Sequence, residues 1–342
     1  MSSKPSVAVC IPTFNQAAFL PLAVRSACAQ TYPGVEVWVA DDASTDDTPK
    51  VMAELCQEYR QINYYRQQLN CGIAENNSWL LPQPETDYVV RLDSDDIMEP
   101  KYVERLVYFM EQYPLAGYAH VAIQQIDSEG RFGQQTHLAR ATGYVDGDTA
   151  LRASLTDYKV AANIVMFRKK VLEELNFYRG RPEFVEDYDL SVRVADAGYG
   201  NVYVDEVLAQ YRVWADTGNK RLKRKNLQLT GYKRIYEESM KPAYARRGWS
   251  TATIDRQMRK MALHHSAYCF SDFFSSAERE SLAKLLILLG DSPMLRLKLA
   301  ALKAGCGPLF RWQEKSEKAL RQYVKLIISS LRSSRHEGTQ VN

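Results

Sequence analysis

Zinc-binding spacings are absent from this chain of 342 residues. Its six cysteines, Cys10, Cys28, Cys56, Cys71, Cys269 and Cys306, are scattered, form no C-x-x-C pair and join no cluster with the five histidines. That argues against a zinc site and for a reducing compartment. No apolar run reaches the ~18 residues that a membrane-spanning helix needs. Met1 to Ser6 lead into the first strand without an apolar signal region, so no secretion is expected and the protein is placed in the cytosol, peripheral to a membrane at most. A Gly-rich, Lys-bearing phosphate loop is also missing: after the first apolar stretch the chain reads Phe14-Asn15-Gln16, which disfavours nucleotidyltransfer. Internal repeats and low-complexity tracts are absent.

What is present is an ordinary globular composition, 46% hydrophobic and 25% charged, with a hidden polarity. Residues 1–214 hold 19 Lys+Arg against 30 Asp+Glu, a net −11, whereas residues 215–342 hold 25 against 11, a net +14. Length and charge together predict two domains, 1–214 and 215–342, the second helical and basic. A basic tail suits an anionic membrane surface or nucleic acid. Because no nucleic-acid motif accompanies Tyr232, Tyr236 and Trp249, nucleic acid is set aside.

Short apolar strands alternate with helical segments through the first half. Val7 to Ile11, Val35 to Ala40, Ile62 to Tyr65 and Tyr88 to Leu92 read as strands. Helices are expected over Ala17 to Gln30, from Thr48 as N-cap to Tyr59, and over Ile73 to Leu81. This alternation predicts a mostly parallel, doubly wound α/β sheet with helices on both faces. Further on, Pro100 opens a helix to Tyr113, Gly117 to Ile126 and Asn163 to Phe167 are strands, and residues 131–148 read as a mobile loop without periodicity. A helix opening at Phe184 carries acidic residues in its first turn, which suits the positive end of its dipole, and Val202 to Tyr211 is a strand. In the basic half, Leu320, Val324, Ile327, Ile328 and Leu331 share one helical face, either a membrane-surface helix or a stripe packed on its own domain; Leu282 to Leu302 is equally mixed.

The fourth strand runs into Leu92-Asp93-Ser94-Asp95-Asp96. In a doubly wound fold ligands gather outside the carboxyl ends of the strands, where three carboxylates within four residues attract a hard divalent cation, Mg²⁺ or Mn²⁺. In an extended backbone Asp93 and Asp95 point to one face and Ser94 to the other. An acidic turn capping the next helix is the bland reading of the same residues.

Five segments agree in order and spacing: Val9-Cys10-Ile11-Pro12-Thr13-Phe14-Asn15, Val39 to Thr48 with its Asp41-Asp42 pair, Asn70-Cys71-Gly72, Leu92 to Asp96, and Glu186-Asp187-Tyr188-Asp189-Leu190 with Arg193. Over about residues 5–214 the chain resembles the family 2 inverting glycosyltransferases with the GT-A fold. The resemblance implies a nucleotide-sugar donor, UDP-linked, held by Pro12, Thr13, Asn15, Asp41, Asp42, Gly72, Asn76, Arg91, Asp93 and Ser94. The second carboxylate of the Asp41-Asp42 pair would receive the N–H of a uracil-type base, since an ionised carboxylate only accepts. Asp95 would be the main metal ligand, with Asp93 second and nearer the sugar or ribose. Asp96 would contact ribose or cap a helix, and Asp46 and Thr48 would be structural caps. The base that deprotonates the acceptor hydroxyl would be Asp187, with Glu186 beside it, or alternatively Asp189.

Two departures from the family pattern stand out. Glu75-Asn76 occupies the place of Arg-Asn, so cationic help for the diphosphate is missing or comes from Arg91. Tyr211-Arg212-Val213-Trp214 replaces Tyr-Arg-x-His, so no histidine serves the metal there; Trp214 either stacks on a ligand or packs in the core. The function implied is sugar transfer to a glycan or lipid-linked glycan in bacterial surface polysaccharide or lipopolysaccharide synthesis, with the basic helices at the inner membrane face. A non-catalytic nucleotide-sugar or glycan-binding subunit, or a nucleotidyltransferase, are the rival readings.

Overall fold

The computed structural model describes residues 4–156, 158–179, 185–214 and 220–304, which fall into two compact units divided after Trp249. The first unit therefore continues past the change of charge near residue 214. The stripe Leu320 to Leu331 lies outside the described residues, as does Phe184.

β1 (Val7–Thr13) is buried at all seven positions, which requires apolar cover on both faces of the sheet. Val7, Val9 and Ile11 point into one layer with Ala23 and Val24 of α1 (Leu20–Cys28), while Ala8 and Cys10 point into the other. β2 (Glu36–Asp41), α2 (Thr48–Glu58), β3 (Ile62–Arg66), α3 (Ile73–Leu80) and β4 (Tyr88–Arg91) follow as alternating units. β1 pairs in parallel with β2 on one side and β4 on the other, and β2 with β3. The chain therefore winds outward from β1 and then returns to its far side, so a switch point lies between β1 and β4.

After a two-residue strand, β5 (Ile97–Met98), come α4 (Tyr102–Gln112), β6 (Ala116–Ile126), β7 (Phe132–Thr136), β8 (Gly143–Val145), α5 (Gly147–Ala153), β9 (Val165–Arg168), α6 (Lys169–Glu174), α7 (Glu186–Asp196) and β10 (Gly200–Arg212). β9 enters antiparallel between β4 and β6, and β10 runs parallel to β6. The sheet is thus mostly parallel with antiparallel insertions. Residues 131–148 depart from the expected loop: β7 extends β6 and β8 extends β10, both antiparallel. β7 has no apolar periodicity because it is an exposed edge, with even Phe132 72% accessible. The helix α2 begins at Thr48 with Asp47 rather than Thr48 in the N-cap position, and the Asp46 carboxylate accepts the Thr48 N–H at 3.0 Å. The first unit ends with α8 (Lys220–Lys223), α9 (Lys225–Arg234), a π-helical turn over Ile235–Met240 and α10 (Lys241–Arg246).

The second unit is helical: α11 (Ala252–His265), a 3₁₀ turn over Ser266–Phe270, α12 (Ser276–Gly290) and α13 (Pro293–Lys303). Ser275 and Glu278 form a reciprocal capping box at the start of α12. Leu282, Leu286, Leu289, Leu295 and Leu299 fill the unit's own core, whereas Leu288 and Leu297 are exposed. Among the described residues no helix is long and apolar enough to cross a membrane.

Candidate active site

The carboxyl ends of β1, β2 and β4 open onto a cavity of about 800 Å³. It is lined by Pro12, Thr13 and Phe14 after β1, Asp42 after β2, residues 70–76 ahead of and within α3, and Asp93, Ser94 and Asp95 after β4, with Glu186 and Arg224 on the far side. The lining carries the carboxylates of Asp42, Glu75, Asp93, Asp95 and Glu186 against one cation among the described residues, Arg224. The Thr13 hydroxyl is buried and lacks a hydrogen-bond partner among the described residues. Such an orphan invites a ligand, because burying an unpaired hydroxyl is costly.

The two neighbouring aspartates do different work. Asp41 is fully buried: its Oδ1 accepts the Ser44 N–H at 2.8 Å and its Oδ2 the Tyr64 hydroxyl at 2.9 Å, with Arg66 at 3.4 Å. It holds the β2–α2 turn and does not line the cavity, contrary to its expected place among the donor contacts. Asp42 does line it, and accepts the backbone N–H groups of Cys71 and Gly72, both at 2.8 Å. Those bonds fold the Asn70-Cys71-Gly72 loop over the site. Gly72 sits at φ +88°, a left-handed backbone that glycine adopts without strain. Asn15 also departs from expectation: its side chain accepts the Thr45 N–H at 2.7 Å and its own N–H bonds Ser44, so it ties two loops together beneath the site. Asn76 reaches the cavity wall while its Nδ2 donates to the Ala40 carbonyl at 2.9 Å.

The acidic segment is a turn rather than an extended run, closed by the Asp96 N–H on the Asp93 carbonyl at 3.1 Å. Asp93, Ser94 and Asp95 therefore all face the cavity, where an extended strand would have turned Ser94 away. The Arg91 guanidinium, almost completely buried, donates from Nη2 to Asp93 Oδ1 at 2.8 Å and from Nη1 to Asp187 Oδ1 at 2.5 Å. Burial opposes its charge, but Asp187 and Asp93 outweigh that and hold the Arg91 pKa well above its ordinary value. Burial pushes the Asp93 carboxyl upward, with Arg91 opposing and Asp95 and Asp187 adding to the rise. Asp96 is buried and raised further, and its Oδ1 accepts the Arg212 N–H at 2.8 Å; it braces β10 and does not line this cavity. Trp214 neither packs in the core nor stands free: its indole N–H donates to Asp95 Oδ2 at 2.6 Å.

A second cavity of about 180 Å³ shares Ile73, Ala74, Asp93 and Glu186 with the first and adds Asn77, Arg91, Asn163, Tyr178 and Asp187. Asp187 Oδ1 receives the Tyr178 hydroxyl at 2.5 Å as well as Arg91, so both donors grip one oxygen. Asp189 turns elsewhere, accepting from Ser239 at 2.8 Å and Arg193 at 2.9 Å. Of Asp187 and Asp189, only Asp187 lines either of these two cavities, the smaller one, with Glu186 beside it on the wall of both. Sequence reasoning missed Asn77, Asn163, Tyr178 and Arg224. Each lies outside the motifs and is brought in by the sheet order and by the path of the chain after β10.

Among the described residues no three His, Cys, Asp or Glu side chains converge as a metal cage. Asp93 and Asp95 can instead share an ion with a ligand's phosphates, which is how Mg²⁺ is usually held.

Residues 8–175 match the sequence profile described as glycosyl transferase family 2. A putative glycosyltransferase, EpsE of Bacillus subtilis, is 26% identical over 227 residues, 65% of this chain and 78% of that protein. A chondroitin synthase of Escherichia coli is 27% identical over 195 residues, 57% of this chain but 27% of its own length, so the chain spans about a quarter of that relative. Among solved structures, S. aureus TarS residues 1–349 in complex with UDP-GlcNAc superimposes with a TM-score of 0.66 at 15% identity, covering 92% of this chain and 91% of that one. The fold is GT-A.

Proposed function

We propose that the protein, whose residues 8–175 match the glycosyl transferase family 2 profile and whose fold is GT-A, transfers a hexosyl or N-acetylhexosaminyl group, with inversion, from a UDP-sugar to a hydroxyl of a glycan or lipid-linked glycan. The observation that carries this reading is the pair of adjacent cavities with a shared wall: the larger bears Asp93, Ser94 and Asp95, and the smaller bears Asp187, with Glu186 on the wall of both. The larger has room for a nucleoside diphosphate. The smaller is the size of one sugar ring and brings polar side chains, Asn77, Asn163 and Tyr178, to its wall.

In this reading the nucleoside lies against Pro12, Thr13 and Gly72, and the unpaired Thr13 hydroxyl and the remaining accepting capacity of Asp42 meet its polar edge. The diphosphate lies between Arg224 and the acidic turn. A divalent ion bound by Asp95, with Asp93, would neutralise charge on the leaving diphosphate. The acceptor hydroxyl oxygen forms its bond to the anomeric carbon as the bond from that carbon to the diphosphate oxygen breaks, and the hydroxyl proton passes to Asp187. With Oδ1 held by Arg91 and Tyr178, Oδ2 is the oxygen left to take it. Opposite-face attack inverts the anomeric centre. The name of the E. coli relative supports a polysaccharide acceptor, and the basic composition of residues 215–342 supports a peripheral position at the cytoplasmic membrane face.

The test is release of free nucleoside diphosphate from a panel of nucleotide sugars, with Mn²⁺ or EDTA, by wild type, Asp95→Ala and Asp187→Asn. Metal-dependent release from one donor, lost in both variants, is the expected result. Binding of no nucleotide sugar under any condition overturns the reading.

A further inference from the structure

Asp95 is held by β10. Its Oδ2 accepts the Trp214 indole N–H at 2.6 Å, and its backbone carbonyl accepts the Arg212 Nε–H at 2.9 Å. Both donors stand on one aromatic support. The Phe19 ring meets the Trp214 ring edge-on, with centroids 5.0 Å apart, and the Arg212 guanidinium lies over Phe19 at 4.7 Å. The Val213 N–H bonds the Ile126 carbonyl at 2.8 Å, so the end of β10 is fixed to β6 between the two donors. A large aromatic side chain that is 40% exposed beside the ligand cavity would not be held this closely by core packing alone.

Resting on the glycosyltransferase reading, we propose that Trp214 is a positioning residue for the divalent ion: it fixes the Asp95 carboxylate so that Oδ1 alone is presented as a ligand. An indole N–H donates but has no lone pair to offer a metal, so Trp214 acts only through Asp95. A hydrogen bond to an ionised carboxylate is short and strong, which suits an orienting role. Groups that orient a metal's ligands in this way commonly govern its affinity by 10–100-fold. The bond also engages Oδ2, so Asp95 would offer the ion Oδ1, with Asp93 and the nucleotide's phosphates as its other ligands.

Mn²⁺ binding by the full-length protein is measured in the presence of UDP, with free Mn²⁺ read by electron paramagnetic resonance and tryptophan emission followed in parallel. Trp214→Phe keeps a ring against Phe19 and removes the donor. We expect Mn²⁺ affinity to weaken about tenfold or more in this variant, with UDP affinity in EDTA unchanged. The paramagnetic quenching of emission seen in wild type should disappear, because Trp214 is the indole beside Asp95. Wild-type Mn²⁺ affinity in Trp214→Phe overturns the inference. Loss of UDP affinity in EDTA overturns it too, since the indole would then be supporting the cavity as a whole. If wild type takes up no Mn²⁺ with UDP, or if Asp95→Ala binds it as well as wild type, the metal reading itself fails and the inference with it.

Discussion

Arg91 and Asp187 are 96 positions apart in the chain and meet at 2.5 Å through Arg91 Nη1 and Asp187 Oδ1. The same guanidinium grips Asp93 at 2.8 Å, so one buried cation spans the acidic turn after β4 and the first turn of α7. Removing one partner of such a buried network leaves the others uncompensated, at about 3–5 kcal/mol. Arg91→Met should therefore lower unfolding stability by about that amount in urea titrations, and should also reduce turnover. A variant as stable as wild type would show that water reaches these carboxylates.

Asp187→Asn keeps the shape of the side chain and removes the proton acceptor. Turnover should fall about 10²–10⁴-fold, with UDP affinity unchanged. Tyr178→Phe removes one of the two donors on Oδ1 and should reduce kcat by a smaller factor with KM for the donor little altered. A change confined to KM would assign Tyr178 to binding.

Gly72 has φ +88° with open space where a Cβ would sit, so Gly72→Ala is strained by backbone conformation and not by a clash. With ψ at 160° this is a backbone region essentially reserved to glycine, and it costs another residue about 1–3 kcal/mol. Because the Gly72 N–H bonds Asp42, the loop should shift and UDP affinity should fall by roughly tenfold, measured by calorimetry. Unchanged affinity would separate this loop from the nucleotide.

His120 is fully buried on β6, and burial, with Arg140 adding to it, drives its pKa down from 6.5 to about 3, a hydrogen bond with Asn201 opposing. The folded protein keeps this imidazole neutral while the unfolded chain protonates it below about pH 6.5. Its contribution to stability is therefore complete above that pH and is lost progressively as the pH falls towards 3. Denaturation profiles of wild type and His120→Gln should converge as the medium is acidified from neutrality to pH 4. Parallel profiles would mean that the imidazole is not the group responsible.

Gly290 closes α12 against α11. A Cβ there would lie 2.5 Å from the Arg259 nitrogen and 2.6 Å from the Met258 carbonyl, both backbone atoms with little freedom to move. Gly290→Ala should destabilise the second unit by about 1–3 kcal/mol, seen as a lowered melting transition with donor hydrolysis by the first unit retained.

Alternating strands and helices were legible because their apolar periods survive in the chain itself. The motifs Pro12-Thr13, Asp41-Asp42 and Asp93 to Asp95 were readable for a related reason, since each stands at the carboxyl end of a strand, whereas Asn70-Cys71-Gly72 ahead of α3 and Glu186-Asp187 at the start of α7 were readable only through the family resemblance. β7 was not legible, since an exposed edge strand has no buried face and therefore no alternation. The division of labour within Asp41-Asp42 was equally hidden, because it depends on Tyr64, Ser44 and Cys71 arriving from three other segments.

By itself, then, the sequence determined the layered α/β architecture, the resemblance to family 2 glycosyltransferases and the acidic cluster, all of which depend on near-neighbour pattern. Only the tertiary structure decided which acidic side chains face a cavity, that Arg91 binds Asp187 and Asp93 together, and that Trp214 reaches back to Asp95 across 119 positions. Those contacts arise where β1, β4, α7 and β10 converge, and a hydrogen bond between distant segments leaves no periodic trace in the chain because it depends on sheet order rather than spacing.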